Sequence, residues 1–112
     1  IDQFWLQGGL RISPKEQIDL LVKLYRNELP FSQRTMNIVK DILINEKTNN
    51  YVLRGKTGWA TKFTPQVGWY VGYLERGDNV YFFALNMDIT KPEDTKARIA
   101  ITKSILRDMG LI

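Results

Sequence analysis

Residues 53–88 read LRGKTGWATKFTPQVGWYVGYLERGDNVYFFALNMD, and the reading of this stretch decides the fold. Val67 to Glu75 and Asn79 to Ile89 are rich in β-branched and aromatic residues, which suit a pleated, half-buried surface. Arg76-Gly77-Asp78 lies between them, so the two runs are predicted to pair as an antiparallel hairpin. Upstream, the Asn49-Asn50 corner leads into Tyr51-Val52-Leu53-Arg54-Gly55-Lys56, a third strand that ends in Lys-Thr-Gly.

Helix signals lie on both sides of these strands. Ser13-Pro14-Lys15-Glu16 combines a capping Ser, Pro at the first helical position and Glu at the third, an arrangement that satisfies orphan N–H groups reciprocally. Ile18, Leu21, Val22 and Tyr25 follow at helical spacing, which predicts a helix from Pro14 to about Asn27. Leu29-Pro30-Phe31 breaks it. Ser32 caps again, and Met36, Val39, Ile42 and Leu43 carry a second helix to about Ile44. Past Pro92 and Glu93-Asp94, the residues Ala97, Ile101, Ile105 and Met109 share one helical face, with Gly110 as the stop.

The expected architecture is α+β: a loop over 1–12, helices within 13–46, three antiparallel strands within 50–89 and a C-terminal helix over 93–110. The last helix is expected to cover one sheet face, and a three-stranded sheet leaves edges that call for cover.

Composition narrows the chemistry. Of 112 residues, 44% are hydrophobic and 25% charged, the balance of an ordinary globular domain. Cys and His are both absent, which excludes within this chain a disulfide framework, a thiolate or imidazole metal site and a Ser-His-Asp triad. No metal site is expected. The net charge of +4 is spread singly along the chain with acids between, so the basic stripe of a nucleic-acid binder is missing. The longest apolar run, Val80 to Leu85, is far too short for a membrane span. The chain opens on Ile1 without a basic and apolar leader, so any signal peptide is expected to lie outside it.

Lys56-Thr57-Gly58 is where chemistry is first suspected. A given tripeptide arises by chance in a chain of this length about one time in a hundred, and a solvated Lys with a turn Gly explains it equally well. Its place at a strand edge adds weight, because Lys and Thr can meet a ligand carboxylate there while Gly permits close approach. Arg98, early in the last helix, reads as a surface Arg or as a planar fork for the same carboxylate. Trp5, on an irregular stretch beside Phe4 and Leu6, reads as a loop anchor whose indole N–H needs a partner.

Beyond these single positions, the chain resembles the class D β-lactamases, or oxacillinases, along its whole length. Phe4-Trp5-Leu6, Leu10-Arg11-Ile12-Ser13, Leu24-Tyr25, Leu29-Pro30, Ile38-Val39-Lys40, Lys56-Thr57-Gly58-Trp59, Gly68-Trp69-Tyr70-Val71-Gly72, Phe82-Phe83-Ala84, Asn86-Met87-Asp88 and Arg98 with Ile101-Thr102-Lys103 look like that family, in order. The short connection from Gly58 to Gly68 looks like its carbapenem-hydrolysing branch.

The resemblance implies hydrolysis of β-lactam antibiotics through a serine acyl-enzyme, with the Ser in a Ser-x-x-Lys motif and the Lys carboxylated by CO₂ to act as general base. None of the three serines here fits: Ser13 is followed three residues on by Glu16, Ser32 by Thr35 and Ser104 by Arg107. Nucleophile and carboxylated Lys are therefore expected upstream of Ile1, with this chain as the C-terminal portion of the enzyme. The N-terminal portion is its expected partner, either associated across a chain break or continuous in a longer polypeptide.

By the same resemblance, Lys56, Thr57 and Arg98 bind the β-lactam carboxylate, with Gly58 completing the motif. Trp59 supplies an oxyanion-hole N–H from its backbone. Trp5 donates to the carboxylated Lys and Leu6 shields it. Thr61 and Lys62 lie on a loop that shapes access for larger substrates, and Gln7 stands where some relatives carry an Asp. Secretion or a periplasmic location is implied, and a homodimer is open. Two rivals stand beside this reading: a β-lactam-sensing receptor domain that is acylated without turnover, against which Leu6 argues, and a non-catalytic binding module built on the hairpin 67–89.

Overall fold

The computed structural model describes residues 13–62 and 64–112. The order is helix α1 (Pro14–Tyr25), helix α2 (Gln33–Ile42), strands β1 (Ile44–Lys47), β2 (Val52–Ala60), β3 (Gln66–Arg76) and β4 (Asn79–Ile89), and helix α3 (Asp94–Asp108). The strands form one antiparallel sheet in sequence order, β1-β2-β3-β4. The α+β expectation holds, with one strand more than the sequence reading allowed.

Local chemistry accounts for the helix ends. Ser13 Oγ accepts from the Glu16 N–H at 3.1 Å while Glu16 returns the bond to the Ser13 N–H at 3.1 Å, the predicted capping box. Asn27 takes a left-handed φ of 61° just past α1, where its N–H reaches Leu24 and that of Glu28 reaches Lys23, so two otherwise orphaned carbonyls are satisfied. Gly110, at φ 76°, closes α3 in the same way with Arg107 and Leu106.

Helix α2 stops at Ile42, two residues short of the expected end, and Ile44 to Lys47 instead form β1. Alternation is the reason: Ile44 and Glu46 pair with Arg54 and Leu53 across a bulge at Asn45, and Thr48 Oγ1 accepts from the N–H groups of Asn50 and Tyr51 to close the hairpin. A helical stripe and a short strand cannot be told apart over four residues by periodicity alone.

The β3–β4 hairpin has the tight turn its sequence predicts, with Gly77 at φ 59° and Arg76 paired with Asn79. A positive φ at the first of two central residues matches the right-handed strand twist.

Each sheet face carries a helix. Leu53 and Leu74 meet Leu106 of α3 on one face, and all three are at least 95% buried, with Tyr81 and Phe83 packed around them. On the other, Tyr25 of α1 stacks edge-on to Tyr73 at 5.5 Å and Phe82 at 5.8 Å. Burying two or three Leu-sized side chains in this way is worth about 1.5–3 kcal/mol each before entropy is counted. Helix α2 buries only Met36 among the described residues, while Phe31 and Ile42 near its ends are 61% and 74% exposed.

Candidate functional site

Strand β2 has two different halves. Val52 to Arg54 pair with β1 on one side and β3 on the other, and the Gly55 N–H still reaches the Leu43 carbonyl at 2.8 Å. Beyond that, β1 has ended while β3 continues to pair with every residue to Ala60. Among the described residues, Lys56 to Ala60 therefore form an open edge.

Strand alternation sets what that edge presents. Because the Gly55 N–H points away from β3, the backbone groups of Thr57 and Trp59 point the same way. The outward Thr57 carbonyl accepts from Lys56 Nζ at 2.8 Å, which agrees with this direction. No described residue accepts from the N–H groups of Thr57 or Trp59. Two parallel donors on an unpaired edge are suited to hold an anion or a carbonyl oxygen.

The cations approach β2 from opposite faces of the sheet. Lys56 is exposed and lies on the α1 side of the sheet, while Thr57, next in sequence, lies on the α3 side. Arg98, one turn into α3, donates from Nε to the Thr95 carbonyl at 2.7 Å and from Nη1 to the Gly58 carbonyl at 2.7 Å. Lys56 and Arg98 thus anchor on successive carbonyls, and neither forms an ion pair within 4.0 Å with a described acid; the pairs there are Arg54–Glu75 and Lys103–Glu46. Among the described residues no partner is seen for the Arg98 Nη2 donors, and its planar fork has a geometry that matches a carboxylate.

Two glycines make this approach possible. A Cβ on Gly68 would come within 2.8 Å of Ile89 Cδ1 and 3.1 Å of Arg98 Cδ, so the Arg stem crosses where a side chain would stand. A Cβ on Gly58 would collide with the Trp69 indole, which lies over it on the α1 side. The glycine of Lys-Thr-Gly is thus needed for packing in addition to the ligand access read from the sequence.

Of the predicted site residues, Lys56, Thr57, Gly58 and Trp59 lie in the outer half of β2, and Arg98 joins them through the Gly58 carbonyl. The triplet lies inside the strand instead of ending it, because β3 pairs on to Val67 and carries β2 as far as Ala60. Thr61 and Lys62 are exposed on the following turn, beside the edge but without a hydrogen bond to it. Trp5, Leu6 and Gln7 lie outside the described residues. The sequence reading missed Gln66, whose Oε1 accepts from the Trp59 indole at 2.9 Å, and Gly68; the signal for both was their position across the hairpin from Trp59.

Comparison with known proteins identifies the family and the fold. Residues 1–109 match the penicillin binding protein transpeptidase domain. The β-lactamase OXA-48 of Klebsiella pneumoniae is 46% identical over 112 residues, which are 100% of this chain and 42% of that protein. The β-lactamase OXA-10 of Pseudomonas aeruginosa is 41% identical over 115 residues, again 100% of this chain and 43% of its own length. Among solved structures, the class D β-lactamase YbXI from Nostoc superposes with a TM-score of 0.94 at 58% identity, covering 99% of this chain and 46% of that one. FUS-1 (OXA-85) from Fusobacterium nucleatum gives 0.92 at 42% identity, with 99% and 46% covered. The chain spans less than half the length of these relatives. It belongs to the penicillin-binding-protein transpeptidase-domain family, and its fold is that of the C-terminal part of a class D β-lactamase.

Proposed function

We propose that this chain forms the carboxylate-binding side of a β-lactam-hydrolysing site whose nucleophile lies on the N-terminal portion of the same enzyme. The observation that carries the proposal is the hold of Lys56 on the Thr57 carbonyl and of Arg98 on the Gly58 carbonyl, next to Trp59, whose N–H points outward. A β-lactam carboxylate held by Arg98, Lys56 and the Thr57 hydroxyl would bring the lactam carbonyl oxygen within reach of that N–H.

In this reading the other portion would supply a Ser hydroxyl to attack the lactam carbonyl and a Lys that, carboxylated with CO₂, would serve as general base for its proton. The ring C–N bond breaks, the ring nitrogen takes up the proton, and water then releases the acyl group. Trp5 and Leu6 would hold and shield that Lys. Thr61 and Lys62 would sort substrates by bulk at the rim, with carbapenems as candidates because the connection from Gly58 to Gly68 is short. Secretion or a periplasmic location belongs to the same reading, and no helix among the described residues is long and apolar enough to cross a membrane.

Denaturing intact-mass spectrometry before and after brief exposure to a penicillin tests it. The 13.1 kDa chain alone should gain no adduct, and the polypeptide bearing the N-terminal portion should gain and then lose one. An adduct on the 13.1 kDa chain would overturn the assignment, and an adduct that never leaves would mark a sensor in place of a hydrolase.

A further inference from the structure

Trp59 is paired with a glycine. Gly68 stands directly across the β2–β3 ladder, and the room above it is taken by Ile89 and the Arg98 stem. The indole has no side chain straight across from it and reaches diagonally to Gln66, the first residue of β3, where Nε1 donates to Oε1 at 2.9 Å. This bond spans the turn 61–65 just past the last β2–β3 pair, Ala60 with Val67. It ties down the strand at the point where β1 no longer supports the outer edge and the ladder is about to end.

We propose that Gln66 is a positioning residue: by holding the Trp59 indole it fixes the direction of the outward Trp59 N–H. The inference rests on the reading of that N–H as an oxyanion donor. Donors of this kind act because they are aimed before charge develops, so a strand end free to twist would lose rate without losing ligand affinity. A neutral acceptor serves because the indole N–H only donates and Gln66 offers a carbonyl oxygen.

The test uses the enzyme complete with its nucleophile-bearing portion, with Gln66→Leu, Trp59→Phe, the two combined, and Gln66→Glu. Trp59→Phe keeps a ring and the backbone N–H but removes the indole donor. Rapid-mixing acylation by a penicillin is read beside its non-covalent Kd and beside thermal unfolding. Gln66→Leu and Trp59→Phe should each slow acylation about fivefold, the scale of one hydrogen bond, with Kd little changed. The double variant should be no slower than either single one, and Gln66→Glu, which keeps an acceptor, should recover most of the rate.

Wild-type acylation by Gln66→Leu would overturn the inference. So would additive losses in the double variant, or a Gln66→Glu variant as slow as Gln66→Leu. Failure of the reading beneath it looks different: the unaltered enzyme would then form no adduct, and both would fall together.

Discussion

The two halves of β2 differ in what surrounds them more than in what they are made of. Val52 to Arg54 are flanked by strands on both sides, with Leu53 sealed between Leu74 and Leu106. Arg54 adds a clamp, donating from Nε to Glu75 at 2.7 Å and from Nη1 to the Lys40 carbonyl at 2.6 Å, so the end of α2 is tied to the sheet. Lys56 to Ala60 keep β3 and lose β1, which frees one row of backbone groups. A single strand therefore carries stability at one end and a binding edge at the other, and the changeover is set by where its neighbour stops.

The closed half of β2 should be the more sensitive to truncation of a side chain. Leu53→Ala leaves a cavity against Leu74 and Leu106 and should cost about 2–5 kcal/mol in denaturant unfolding. If the cost is under about 1 kcal/mol, the closed half is not the anchor described here.

At the open end the effect should move from stability to binding. Arg98→Ala removes a charged donor from the edge, and the KM for a penicillin should rise about tenfold to a hundredfold in the complete enzyme. An unchanged KM would leave the binding-module rival in place, because that rival does not use this edge.

Tyr70 links β3 to the bulge in β1. Its hydroxyl donates to Asn45 Oδ1 at 2.5 Å, and its ring is completely buried. Tyr70→Phe should cost about 1 kcal/mol. Burial pushes the Tyr70 hydroxyl, like that of Tyr73, up to about 12. A folded-state value above the ordinary tyrosine range of about 10 means that the stability these groups contribute is complete below pH 10 and is lost as pH rises toward 12. Unfolding free energies across that window should fall more steeply for the unaltered chain than for Tyr70→Phe.

The smallest effect belongs to the turn. Thr61→Ala and Lys62→Ala should leave stability within about 0.5 kcal/mol, since both side chains are exposed. Any influence should show in the ratio of kcat/KM between a bulky and a small β-lactam; a loss of stability instead would make the turn part of the fold's support.

Much of the architecture was legible in local chemistry. Ser13 with Glu16, Asn27, Gly77 and Gly110 act within a few residues of themselves, so the sequence reading placed α1, the β3–β4 hairpin and the stop of α3 from position alone. Strand β1 was not legible, because INEK is too short for a period and pairs only through contacts with β2. Lys56, Thr57, Gly58 and Arg98 were legible as candidates through the family resemblance and the motif's residue types.

Local sequence was enough for the capped starts of α1 and α2, the β3–β4 hairpin and the absence of any Ser-x-x-Lys, His or Cys chemistry in this chain. Only the tertiary structure decided that Arg98 reaches the Gly58 carbonyl across Gly68, that Trp69 lies over Gly58, that Gln66 holds Trp59 and that β1 ends where the site begins. The reason is range: caps and turns are settled by hydrogen bonds between near neighbours, whereas a bond between residues 40 positions apart exists only once the sheet has fixed its register.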